Sequence, residues 1–144
     1  MSDQTDARQL VVFTLGAEQY ALPIKQVQEI IRYKQPRSFT STDYSVRGVI
    51  SLRGRIIPVY DLASRLGVST ELSDHSMIMI LETAAQTVGV IVDAVDEVLT
   101  VKADQLEQLP NADTTLMDSI AKLGDRLIVL LNPSELFAAT PLAA

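Results

Sequence analysis

The feature that most constrains the fold is an internal repeat. The stretch 10–31, LVVFTLGAEQYALPIKQVQEII, aligns without a gap to 78–99, IMILETAAQTVGVIVDAVDEVL, at an offset of 68 residues. The alignment places Glu29 on Glu97. Similarity at a fixed offset indicates that a chain is built from duplicated structural units.

A second pair of segments repeats in the same order. The stretch 49–61, VISLRGRIIPVYD, resembles 120–132, IAKLGDRLIVLLN, at an offset of 71 residues. Most matches join one apolar residue to another, so shared strand chemistry alone could explain either segment. The common order of hairpin, Val-x-Glu segment, loop and second hairpin favours duplication. The three-residue difference falls in loops, where insertions cost little.

Each unit is predicted to consist mainly of strands. Short apolar runs separated by glycine-containing turns are typical of hairpins. The predicted hairpins join 10–15 to 19–23, 77–81 to 88–92, 48–52 to 55–60, and 120–123 to 126–131. Pro58 cannot donate to a ladder, so we expect its strand to be an edge or to contain a bulge.

Short helices are also predicted, three of them from helix-face spacing or capping signals. The apolar positions between Ile24 and Ile31 fit one helix face, although many are β-branched. The stretch 62–66 follows an aspartate that can cap a helix and precedes a glycine that can end it. In 132–135, the order Asn-Pro-Ser-Glu predicts a helix start.

These patterns predict an all-β fold with short helices. Four or five short apolar strands per unit suit a small barrel, and a unit of about 60 residues is marginal alone. We therefore expect two barrels that bury a shared apolar seam. The expected single domain covers 9–138, with subdomains at about 10–67 and 76–137, and with 1–8 and 139–144 as flexible termini.

Composition limits the partners and the compartment. The net charge is −6 and the pI is about 4.6, which argues against nucleic acid and anionic membranes as main partners. The chain has no cysteine, no signal-peptide pattern, and no apolar run near the ~20 residues that span a bilayer. We expect a cytoplasmic protein.

Residues with catalytic or metal-binding potential are sparse. His75 is the only histidine, and with Asp74 it supplies too few ligands for a metal site. Asp93, Asp96 and Glu97 are interpreted as the polar face of a short helix. No nucleophile-elbow pattern or phosphate-binding glycine loop is present. The sequence therefore predicts no catalytic residue, no metal and no cofactor, and hence not an enzyme.

Two arginines flank the turn of one predicted hairpin. Arg55 aligns with Arg126, so a local structural role on an exposed hairpin is the simpler interpretation. Arg53 aligns with Gly124, so only one repeat carries this charge. An arginine at a barrel end suits recognition of a carboxylate or of a polar helix surface.

The segment RGVISLRGRIIPVYDL, at 47–62, resembles the signature of the CheW family of chemotaxis coupling proteins. LVVFTLGAEQYALPIKQVQEI, VGVIVDAVDEVL and AKLGDRLIVLLN resemble other family segments in the same order, over about 9–137. Ser51 and Asn132 stand where the family often has Asn and Asp. Both are small polar replacements.

This resemblance implies two five-stranded SH3-like barrels and the role of an adaptor. The adaptor would hold the regulatory domain of a CheA-type histidine kinase to the cytoplasmic tips of methyl-accepting chemoreceptors, in membrane-bound arrays, with other CheW-like domains as further partners. It implies a receptor-binding groove between the subdomains, in which Gly48 permits close approach. The implied groove residues are Val27, Glu29, Gly48, Leu52, Arg53 and Gly54. The kinase-binding residues stay unassigned.

Two alternatives stay open. The same adaptor architecture could serve a chemosensory pathway that controls pili, twitching or another output. A tandem-barrel module that binds a small ligand or catalyses a reaction belongs to a different class. It would need a polar pocket with perturbed titratable groups.

Overall fold

The computed structural model describes residues 7–38, 44–83, 86–108 and 117–132. The described elements, in chain order, are β1 (Arg8–Leu15), β2 (Glu18–Pro23), a 3₁₀ turn (Ile24–Gln26), β3 (Val27–Arg32), β4 (Val46–Leu52), β5 (Arg55–Asp61), α1 (Leu62–Leu66), β6 (Met77–Glu82), β7 (Thr87–Val92), β8 (Ala94–Val101), a second 3₁₀ turn (Ala103–Gln105), β9 (Leu106–Glu107), β10 (Met117–Leu123) and β11 (Arg126–Leu131).

The chain is mostly β, and the four predicted hairpins are confirmed. β1 pairs with β2, β4 with β5, β6 with β7 and β10 with β11, all antiparallel. β1 already begins at Arg8, inside the terminus predicted to be flexible. The rest of that prediction, the predicted 139–144 terminus, and the helix predicted after Asn132 lie outside the described residues.

Two sheets contain these strands. The six-stranded sheet has the order β8-β1-β2-β11-β10-β9, and the five-stranded sheet has the order β3-β6-β7-β5-β4. The first hairpin of each repeat therefore lies beside strands of the other repeat. This corrects the expectation that each unit is contiguous, at about 10–67 and 76–137. Because the two hairpins come from duplicated sequence, each can fill the other's place in a sheet.

The ladder registers reproduce the repeat. In the β1–β8 ladder a bulge leaves Asp96 without an opposite residue, and in the β6–β3 ladder Gln28 is left out. These two residues are 68 positions apart. Both bulges thus occur at equivalent positions, and bulges re-aim the neighbouring side chains.

The parallel pairings are equivalent as well. β11 meets β2 through Leu130 and Ala21, and β5 meets β7 through Val59 and Gly89. The residues of the second pair are the repeat counterparts of those in the first, at offsets of 71 and 68. Duplication of the whole strand arrangement accounts for this agreement.

Three apolar clusters stabilise the two sheets. The shared core draws on strands of both sheets, including Phe13 and its counterpart Leu81, which are 0% and 1% exposed. This cluster is the predicted apolar seam. Each sheet also has a smaller core of its own, around Val12 in one and its counterpart Ile80 in the other. Tyr20 stacks on Phe13 in the shared core, and burial, then the nearby Glu18 carboxylate, raises the pKa of Tyr20.

The short helix α1 follows the prediction. The Asp61 carboxylate accepts a hydrogen bond from the Ser64 amide (3.3 Å), which caps the first turn. Gly67 ends the helix with a left-handed φ of 74°. No helix in the described parts of the chain is long and apolar enough to cross a membrane.

The helix predictions for the segment from Ile24 to Ile31 and for the acidic segment around Asp96 are wrong. A single 3₁₀ turn at Ile24–Gln26 leads into β3, whose burial alternates from residue to residue. The acidic segment around Asp96 lies on β8 and is also extended. β-branched side chains favour strands over helices at both places.

Pro58 lies in a strand with neighbours on both sides. β5 sits between β7 and β4, so it is not an edge strand. The ladder to β7 begins only at Val59. The missing proline donor therefore costs no bond in that ladder.

Candidate functional site

The five-stranded sheet is curled, so that side-chain contacts join its two edge strands, β3 and β4. Among the described strands, no ladder links β3 to β4. Arg53 Nη2, at the β4–β5 turn, lies 3.0 Å from Glu29 Oε1 on β3. Lys34 Nζ, just after β3, donates to the Ser51 carbonyl on β4 (3.2 Å). We call this junction the β3/β4 seam.

Arg53 has an unusual backbone conformation. Its φ is 53°, and the following Gly54 has a φ of 80°, as in the type I′ turns that favour Asn-Gly or Gly-Gly. Among the described residues, Arg53 is the one non-glycine residue with a positive φ. Strained backbone of this kind concentrates at functional sites. The Arg53 side chain is 68% exposed, whereas that of Glu29 is 29% exposed.

The other implied groove residues have different surroundings. Leu52 is partly buried against the local core of its sheet. Val27 is partly buried against the shared core. Gly54 is exposed, and a side chain there would meet no atom within 4 Å. The structure thus brings Glu29 and Arg53 into direct contact, with an apolar residue close in sequence to each.

Gly48 approaches its own chain. Its φ is 143°, and a Cβ there would lie 2.2 Å from the Arg37 carbonyl oxygen. Arg37 and Val49 exchange two backbone hydrogen bonds, of 2.8 and 2.9 Å. Gly48 therefore lies in close approach to the segment around Arg37, and this contact by itself requires a glycine.

The second repeat contains an ion pair between the counterparts of Glu29 and Arg55, which was not predicted from the sequence. Arg126 Nη2 lies 2.6 Å from Glu97 Oε2 and 3.1 Å from Gln19 Oε1. In the first repeat, Arg55 Nη2 donates to Thr87 Oγ1 (2.8 Å), and Thr87 is the counterpart of Gln19. The alignment of Glu97 with Glu29 and of Arg126 with Arg55 contained the signal for this cluster.

The remaining acidic residues of β8 and its entry make structural contacts. Asp93 accepts hydrogen bonds from the Gly16 amide (2.8 Å) and from the Thr70 hydroxyl. Asp96 accepts from the Thr14 hydroxyl (2.6 Å). These carboxylates connect β8 and its entry to the first hairpin and to the loop after α1.

Two open surface clefts have volumes of about 820 and 660 Å³, the second lined by His75. A smaller cavity lies beside the loop that follows α1. Its volume is about 250 Å³, below the 300–1,000 Å³ typical of ligand pockets. Arg47 and Asp61, which line it, form an ion pair of 2.6 Å. His75 is exposed, and within the described ranges no cluster of three potential metal ligands is found.

Exposed apolar side chains also recur in both repeats. Ile30 and Ile56 belong to the five-stranded sheet, and their counterparts Val98 and Leu127 belong to the six-stranded sheet. Their exposures are 36%, 68%, 53% and 58%, respectively. Each sheet thus presents the same pair of apolar positions to solvent.

An exposed arginine at the β3/β4 seam, together with exposed apolar side chains at equivalent positions of both sheets, is typical of a module that binds other proteins. The profile of the CheW-like domain matches residues 9–140. The chemotaxis protein CheW of Klebsiella aerogenes is 31% identical, with 99% of this chain and 89% of that protein covered. CheW of Bacillus subtilis is 31% identical, covering 85% and 82%.

A solved structure agrees with the family profile. The scaffolding protein TtCheW from Thermoanaerobacter tengcongensis superimposes with a TM-score of 0.84 at 36% identity, covering 90% of this chain and 87% of that one. The chain belongs to the CheW family of chemotaxis scaffolding proteins.

Proposed function

We propose that this chain is a non-catalytic adaptor that couples the cytoplasmic tips of methyl-accepting chemoreceptors to a CheA-type histidine kinase in bacterial chemotaxis. Membership of the CheW family supports the role. The observation that carries it is the state of Arg53, an exposed arginine held in a left-handed turn at the β3/β4 seam. Its repeat counterpart is a glycine, so the fold itself does not require the charge.

The proposed receptor contact follows the helix-in-groove mode. Apolar anchors bind one face of a helix, and a few polar groups orient it. Leu52 and Val27 supply apolar contact, and Arg53 donates hydrogen bonds to a carboxylate or to another oxygen on the helix surface. Gly54 leaves space beside the arginine, Glu29 positions it, and Gly48 acts indirectly by holding β4 against the Arg37 segment.

The proposed kinase contact uses the recurring apolar pairs. We infer that Ile30 with Ile56, or Val98 with Leu127, meets the regulatory domain of the kinase or another CheW-like domain. Because the pairs are equivalent, both sheets offer a related surface. Such a chain can occupy a middle position in an array at the cytoplasmic side of the membrane, where multivalency strengthens weak contacts.

The test of the receptor contact is Arg53→Glu. We expect the dissociation constant for a receptor-tip fragment to rise at least tenfold, because charge-assisted contacts contribute about 1.5–3 kcal/mol. The melting temperature should change by only a few degrees, since exposed ion pairs contribute about 0–1 kcal/mol.

Arg126→Glu is the matched control. It reverses the arginine that pairs with Glu97, the counterpart of Glu29 in the second repeat, and we expect it to retain receptor binding. The proposal is contradicted if Arg53→Glu binds like the parent, or if both variants lose binding equally.

A further inference from the structure

The two repeats provide an internal comparison of the same carboxylate with different partners. Glu97 pairs with Arg126, whose guanidinium also contacts Gln19. Glu29 occupies the equivalent place on β3, beside the equivalent bulge. If the first repeat followed the second, Glu29 would pair with Arg55.

The first repeat departs from that arrangement at one residue. Arg53 occupies the position that corresponds to Gly124 in the second repeat. Its Nη2 atom forms an ion pair with Glu29 Oε1 at 3.0 Å. Arg126 contacts both Glu97 and Gln19. Arg55 makes the contact that corresponds to the second of these, because it donates to Thr87, the counterpart of Gln19. Arg53 thus holds the carboxylate that Arg55 would hold if the first repeat followed the second.

We propose that Arg55 is a positioning residue that takes over the Glu29 carboxylate when Arg53 turns to a receptor group. This inference rests on the proposed receptor contact. Glu29 is 29% exposed, and a partly buried carboxylate that loses its cation is destabilised. If the Glu29 carboxylate pairs with Arg55 instead, it is not left without a cation, and this destabilisation is avoided. Arg53 can then contact the receptor.

One further carboxylate lies close to this exchange. Thr87 donates its hydroxyl hydrogen to Glu82 Oε1 (2.9 Å) while it accepts from Arg55. Glu82 also accepts from Gln28 (2.7 Å). Glu82 is thus the competing acceptor for Arg55, and Glu82→Gln distinguishes the two destinations.

The first experiment needs no receptor. In an Arg53→Gly background, which reproduces the second repeat, a double-mutant cycle combines Glu29→Gln with Arg55→Met, and denaturant unfolding is measured. We expect a coupling of about threefold in the unfolding equilibrium constant, the size of an exposed ion pair. With Arg53 present, the same cycle should give a coupling factor close to one, which means that Glu29 and Arg55 act independently. The exchange is overturned if Glu29 and Arg55 show no coupling in the Arg53→Gly background. It is also overturned if Arg55→Met couples to Glu82→Gln instead.

The second experiment measures binding of a receptor-tip fragment to the full chain. Arg55→Met should weaken binding about threefold when Glu29 is present and have no effect in the Glu29→Gln variant, while Arg55→Lys restores part of the loss. Equal weakening in both backgrounds overturns the positioning role. If the parent chain does not bind the fragment at all, the proposed function fails, while the stability cycle still decides the exchange.

Discussion

At the scale of residues, the two repeats differ most informatively at Arg53 and Gly124. Glycine adopts a positive φ without strain, whereas an arginine there is disfavoured by about 1 kcal/mol. The sequence alignment identified Arg53 as the asymmetric charge. It did not reveal the Glu29 contact, because that contact depends on the curl of a sheet whose edge strands are far apart in the strand order.

We predict that Arg53→Asn does not destabilise the chain, although it removes an ion pair. Asn-Gly is a preferred type I′ turn, so relief of the backbone should offset the lost pair, with a net change of about 0 to +1 kcal/mol in the free energy of unfolding. Denaturant unfolding measures this change, and receptor binding should fall in the same variant.

Arg55→Asn is the matched control, because it removes a charge from a strand position where no strain is relieved. We expect it to lower the free energy of unfolding. A loss of more than about 1 kcal/mol in Arg53→Asn would show that the turn is not strained at that residue.

At the scale of elements, local signals predicted the hairpins and α1 and failed for the segments around Ile24 and Asp96. Glycine turns between apolar runs are short-range features and predict three of the hairpins, and the β6–β7 hairpin follows from its repeat match to β1–β2. The segment beginning at Ile24 was misassigned because its apolar spacing fits a helix face: Ile30 and Ile31 are consecutive apolar residues, although burial along β3 alternates. The exchange of β1–β2 with β6–β7 could not be predicted, since duplicated hairpins have the same local pattern in either sheet.

We predict that Gly48→Ala is strongly destabilising. The added Cβ would lie 2.2 Å from the Arg37 carbonyl oxygen, at a φ of 143° that side chains rarely adopt. The expected cost is about 2–4 kcal/mol in the free energy of unfolding, measured with denaturant.

Gly124→Ala separates strain from close approach. Its φ is 64° and nothing lies within 4 Å of the added Cβ, so a cost of about 1 kcal/mol is expected. Similar losses in the two variants would mean that the Arg37 contact does not hold β4 in place.

At the scale of the whole molecule, duplication accounts for the scaffold, and the proposed receptor contact depends on divergence between the repeats. The shared core joins both sheets, and the exchanged hairpins make each sheet depend on both repeats. The repeat pattern alone was enough to predict a double barrel with a common seam. The proposed receptor contact depends on Arg53, whose repeat counterpart is a glycine, so duplication alone does not predict it.

The most direct test of the adaptor role is a three-component co-sedimentation. Receptor-bearing membranes are mixed with a CheA-type kinase and with the parent chain, the Arg53→Glu variant or no added chain, and the kinase in the pellet is measured. We predict that the parent chain brings the kinase into the pellet and that the variant leaves most of it in solution. Equal sedimentation of the kinase with and without the chain would contradict the account.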